Sequence, residues 1–88
     1  MSEVWKFPLM IEDSQVVPMP ADADLLFVAV QYEQLCLWAR VIPTSEIVSR
    51  EIIIRGTGHP IWQQPYIGSV VTGGGSLVWH VFDGGEPK

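Results

Sequence analysis

The residues best suited to chemistry gather in one short stretch, Arg55-Gly56-Thr57-Gly58-His59-Pro60-Ile61, with Trp62 directly after it. Two glycines bracketing a threonine let the backbone approach a ligand closely, and successive N–H groups in such a turn can cradle an anion. Arg55 adds a guanidinium able to hold phosphate or carboxylate through two parallel hydrogen bonds. His59 can donate a hydrogen bond or stack, and Trp62 can stack on a base or contact a partner. Arg55, Gly56, Thr57, Gly58, His59 and Trp62 are therefore the candidate ligand-binding residues. The competing reading is a tight turn ending a strand, with His59 packed or solvated and Trp62 lying over a small core. The stretch lacks the Gly-Lys-Ser/Thr ending of a Walker loop, and no crossover helix follows it as a dinucleotide fingerprint requires.

Other constellations are weaker. His59, His80 and Cys36 match no local spacing of a zinc site, so neither a metal nor a cofactor is expected. Asp13, Asp22, Asp24 and Asp83 stand in turn-like contexts that their backbone-bonding habit explains. Ser69 and Ser76 flank no nucleophile elbow. Cys36 lies in the apolar run Leu35-Cys36-Leu37-Trp38 and reads as a small buried hydrophobe. No catalytic residue is assigned, and the chain is read as a binding protein.

The elements that must position the glycine-rich stretch read as short strands. Val4 to Ile11 alternates, with Trp5, Phe7, Leu9 and Ile11 on one face, and Pro8 marks it as an edge. Glu12-Asp13-Ser14 turns the chain into a return strand from Gln15 to Met19, which suggests a hairpin. Leu25 to Tyr32 is apolar on both faces, so both are expected to be covered. Glu33-Gln34 connects it to Leu35 to Ile42, giving a central hairpin. Ile52-Ile53-Ile54 makes Ser49 to Arg55 a strand that delivers the chain into Gly56. Tyr66 to Thr72 and Ser76 to Phe82 flank Gly73-Gly74-Gly75, which reads as a turn. Residues 83–88 read as a frayed polar tail. The fold expected is all-β, a small β-sandwich or open barrel of about six to seven short antiparallel strands, in one domain spanning 1–88.

Composition constrains the partners. Charged residues are only 17% of the chain and apolar ones 48%, against about 25% charged in an ordinary globular chain. A chain of 88 residues has much surface to cover, so burial against copies of itself is expected, as a homo-oligomer. The net charge is −5, and five scattered cations form no basic stripe of the kind nucleic acid requires. A small phosphate-bearing ligand needs only one or two arginines and stays compatible. No apolar run approaches a membrane span, and the N-terminus lacks a signal peptide pattern.

Val4-Trp5-Lys6-Phe7, Leu35-Cys36-Leu37-Trp38-Ala39, Gly56-Thr57-Gly58-His59-Pro60-Ile61 and Leu77-Val78-Trp79-His80-Val81-Phe82, in this order, resemble a family of small proteins of bacteriophages and prophages. Pro20-Ala21-Asp22-Ala23 departs modestly from the family's Pro-Ala-Gly-Ala form. Members carry no assigned function. The resemblance implies expression from a phage gene in the cytoplasm of an infected bacterial host. In that context the expected function is a counter-defence binding protein, in its sharpest form an oligomeric sponge that sequesters a host nucleotide immune signal. The alternatives are a protein that binds and inhibits a host or defence protein through its surface, a minor virion or accessory protein, and a phosphodiesterase using His59.

Overall fold

The computed structural model describes residues 1–86, which form seven strands in two antiparallel sheets. β1 (Glu3–Pro8), β4 (Gln34–Val41) and β3 (Asp24–Gln31) make a three-stranded sheet in the order β1-β4-β3. β2 (Ser14–Pro20), β5 (Ile47–Gly56), β7 (Leu77–Gly85) and β6 (Tyr66–Thr72) make a four-stranded sheet in the order β2-β5-β7-β6. A single 3-10 turn, Gly73–Gly75, joins β6 to β7. No helix among the described residues is long and apolar enough to cross a membrane. The sheets do not close into a barrel. The molecule is 16 Å thick along its short axis, which suits two sheets stacked about 10 Å apart.

Period-two alternation decides which face of each strand is buried. Leu35, Leu37, Ala39 and Val41 of β4 point inward and are all buried, while Arg40 points out. Ile52 and Ile54 of β5, Met19 of β2 and Val81 of β7 meet them from the other sheet. Full burial of such a side chain contributes about 1.5–3 kcal/mol. Arg50 lies on the same inward face of β5 and is only 9% exposed. Its guanidinium donates two hydrogen bonds to the Asp83 carboxylate, at 2.9 and 2.7 Å, and one to the Ala23 carbonyl at 3.0 Å.

Three expectations are corrected. The predicted hairpin of the first two strands does not form. β1 pairs with β4 and β2 pairs with β5, so Leu9 to Asp13 carries the chain from one sheet to the other. The prolines explain the choice: Pro8, Pro18 and Pro20 cannot donate to a ladder, and both strands take edge positions with one paired side each. Second, β3 is not covered on both faces. Phe27 is 58% exposed and packs against Trp38 in a tilted ring pair, centroids 5.7 Å apart, across the open face of its sheet. Third, the first three residues of the tail expected over 83–88 are strand. Asp83 to Gly85 continue β7, because the Arg50 ion pair and the pairing of Ile52 with Asp83 hold them. The last two residues of that expected tail lie outside the described residues.

The central hairpin of β3 and β4 forms as expected, with its turn one residue earlier, at Tyr32-Glu33. Both residues have positive φ, 50° and 65°. A two-residue hairpin whose central residues both take positive φ matches the twist of its strands, and asparagine and glycine usually fill it.

Candidate functional site

The glycine-rich stretch begins where β5 ends. The N–H of His59 donates to the carbonyl of Gly56 at 3.1 Å, closing a tight turn, and Gly58 takes φ +90°. That turn is the strand-ending arrangement, and it withdraws the His59 N–H from any anion cradle. Gly56 pairs with Trp79, and Arg55 pairs with His80, on neighbouring strands. Alternation along β5 therefore sends adjacent members of the stretch to opposite faces of the sheet.

On the core side, a Cβ on Gly56 would lie 3.5 Å from the Trp79 ring and 3.6 Å from the His59 ring. The glycine thus lets an indole and an imidazole close in on either side of the backbone. His59 is exposed and forms part of two clefts. One, of about 270 Å³, is lined by Gly56, Thr57, His59, Leu77 and Trp79 among others and by no carboxylate. The other, of about 430 Å³, shares His59 and Trp79 and adds Ile54, Glu12 and Asp13. The Trp79 indole N–H is engaged by Thr72 Oγ1 at 2.9 Å, which fixes the ring.

On the outer side, Arg55 binds the protein itself. Its Nε donates to the Pro60 carbonyl at 3.1 Å, and its Nη1 donates to the carbonyls of Asp13 at 2.6 Å and Ile54 at 3.0 Å. The guanidinium ties the glycine turn to the crossover between the sheets. Trp62 is 70% exposed and borders neither cleft. The six candidate residues are accordingly divided: Gly56, Thr57 and His59 border a cleft, Gly58 shapes the turn, Arg55 braces it, and Trp62 stands apart.

The other histidine carries the hydrogen-bonded network. His80 Nε2 is 2.9 Å from Thr57 Oγ1, and His80 Nδ1 is 2.7 Å from Ser69 Oγ. Ser69 Oγ is in turn 2.7 Å from the Tyr66 hydroxyl. These side chains span β6, β7 and the turn after β5 on the outer face of the four-stranded sheet. Sequence reasoning placed none of Ser69, Tyr66 and His80 in the site. The sequence carried no signal for this link: equal steps outward from the triglycine turn would set Ser69 opposite Trp79, and the extra residue Ser76 on the far side shifts the partner to His80.

The family model of a domain of unknown function, DUF7352, matches residues 1–88. The chain belongs to the DUF7352 family. No curated protein and no solved structure matches it. Within this DUF7352 chain, no three His, Cys, Asp or Glu side chains among the described residues are grouped to hold a metal ion. Cys36 is buried beside Pro8 and Ala29 in the three-stranded sheet, a sheet apart from His80. The most strongly perturbed ionisable pair is structural. Hydrogen bonds from Arg50 hold the Asp83 carboxyl below the usual carboxylate range against the opposing effect of burial, helped by the Gly85 N–H. The same pairing raises Arg50.

Proposed function

We propose that this DUF7352 chain is a stoichiometric binding protein: a phage counter-defence protein that works as an oligomeric sponge for a host nucleotide signal in the host cytoplasm. One observation carries the reading. The imidazole of His59 and the ring of Trp79 flank Gly56 and together border both clefts at one end of the sandwich. A planar base packs on such rings, and His59 offers it a hydrogen bond.

Electrostatics selects between the two clefts. A phosphate-bearing ligand takes the one without carboxylates, because Glu12 and Asp13 repel it from the other. With Arg55 bonded to carbonyls, its phosphates meet the backbone and hydroxyls near Thr57 instead. At about 270 Å³ the cleft lies below the roughly 300–1,000 Å³ that encloses a small molecule. A second copy is therefore needed to complete it, in keeping with the low charge content.

Native mass spectrometry of protein purified from cells with an active nucleotide-based defence tests this. A stoichiometric, intact nucleotide released on denaturation, and lost in His59→Ala, is the expected result. A protein that neither retains nor binds any nucleotide sinks it.

A second reading has its own support. Exposed Phe27, backed by half-buried Trp38 on the open face of the three-stranded sheet, suits a host or defence protein as target. A complex that survives added nucleotide and is lost in Phe27→Ala favours inhibition by contact.

A further inference from the structure

The outer face of the four-stranded sheet holds a second set of groups, which shares only Thr57 with the cleft of His59 and Trp79. Ser69 is exposed, and its Oγ lies 2.7 Å from Nδ1 of His80. The other ring nitrogen of His80 is engaged by Thr57 Oγ1 at 2.9 Å. The Tyr66 hydroxyl, on a side chain 61% exposed, lies 2.7 Å from Ser69 Oγ. Hydroxyl, imidazole and a third group that fixes the imidazole form the arrangement that activates a nucleophile. Thr57 stands where a carboxylate stands in the familiar triads. With the ring proton on Nε2, His80 donates to Thr57, and Nδ1 is left to accept the Ser69 proton.

We propose that Ser69 is an activated nucleophile that takes up an acyl group from a small activated carboxylic ester. Ser69 Oγ attacks the ester carbonyl carbon and forms the new O–C bond, while its proton passes to His80 Nδ1. The carbonyl oxygen takes the negative charge. Tyr66, within hydrogen-bond reach of Ser69, donates its hydroxyl to that oxygen, as phenols do in oxyanion holes. Collapse expels the alkoxide or phenolate, and the His80 proton leaves with it or to solvent. Water attacks the acyl-Ser69 with His80 again as base, releasing the carboxylic acid and restoring the serine. No redox partner is required. Thr57 is a positioning residue, acting through the ring of His80.

The open sheet face explains the restriction to small esters. Neither cleft includes Ser69, so no walls select a large acyl chain. The register keeps the geometry fixed: Arg55, His80 and Ser69 are successive partners across β5, β7 and β6.

The test uses the full chain and p-nitrophenyl acetate, with release of p-nitrophenol followed by absorbance and the acetylated peptide located by mass spectrometry. On acid quench during the initial burst, before water has cleared the acyl group, up to one acetyl group per chain is expected on Ser69, with burst and labelling abolished in Ser69→Ala. His80→Gln slows it by about a hundredfold or more, and added imidazole restores part of the rate in His80→Ala. Thr57→Val lowers the rate and Thr57→Ser recovers it. Acetyl found only on lysines or the N-terminal amine overturns the proposal on the wild-type chain alone, whatever the variants do. Labelling of Ser69 at an unchanged rate in folded His80→Gln also overturns it.

Discussion

Gly68 of β6 leaves open the space that Val28 of β3 fills: a Cβ built on the glycine would lie 2.8 Å from Cγ2 of the valine. Val28 is buried, and its strand lies against β6 from the opposite sheet. The two sheets approach most closely along this seam. Gly68→Ala forces the seam apart and is expected to cost about 1–3 kcal/mol, the usual range for overpacking. Pairing it with Val28→Ala should make the double variant less destabilised than the two single losses add up to. Urea denaturation of the four proteins measures both effects.

Asp83 should set the acid limit of stability. Its folded-state pKa is lowered, chiefly by hydrogen bonds from Arg50. The pair therefore contributes its full stabilisation above the unfolded carboxylate value of about 3.9, and loses it as pH falls through the lower folded value. Asp83→Ala leaves Arg50 largely buried with the more distant Glu86 at 3.8 Å as its remaining carboxylate. A loss on the order of 3 kcal/mol is expected at neutral pH, with a shallower fall in acid than the wild type shows. Thermal melts at stepped pH read this directly.

Arg55 is predicted to behave as a brace and not as an anion ligand. Arg55→Ala removes three hydrogen bonds to carbonyls and should cost about 1–3 kcal/mol. Arg55→Lys should not recover it, because an ammonium does not reproduce the planar fork that spans two carbonyls. Hydrogen exchange should quicken at residues 57–60 in both variants. His59→Ala, by contrast, should leave stability nearly unchanged, since its side chain is exposed.

The turn at Tyr32-Glu33 stores strain that asparagine and glycine would relieve. Replacing both residues by Asn-Gly should raise stability by about 1–2 kcal/mol, since left-handed backbone costs a non-glycine residue about that much. A rise in melting temperature without loss of the β-sheet circular dichroism signal is the expected result. Tyr32 is 93% exposed, so no packing is sacrificed.

Strand positions were legible because Leu35 to Val41 and Ile52 to Ile54 carry their own pattern. The partners were less so. Nothing local to Val4 to Ile11 distinguishes pairing with the following strand from pairing with β4, since both satisfy the same apolar face. That choice was settled by the sandwich as a whole. The exposed face of β3 was misread for a related reason: Phe27 looks like a core residue in a single strand, yet only one side of a two-sheet stack can be interior. Gly56, Thr57 and His59, which border a cleft, were singled out because glycine and histidine are conspicuous. Ser69 acquires meaning only when register lays it beside His80, and Tyr66 only through its hydrogen bond to Ser69. Arg55 was read as an anion ligand because its acceptors, the carbonyls of Pro60 and Asp13, are set by the turn and the crossover and leave no mark in the sequence.

Every outer strand carries a local irregularity. Pro8 ends β1, and Pro18 and Pro20 interrupt β2. β3 shifts register between Leu25 and Phe27, and β6 shifts between Tyr66 and Gly68. Proline removes a donor, and a bulge twists the margin out of line. A neighbouring copy finds no straight, fully armed margin on which to extend the ladder. A protein this apolar is thereby steered from fibre growth, and an assembly of copies is more readily built by laying faces together.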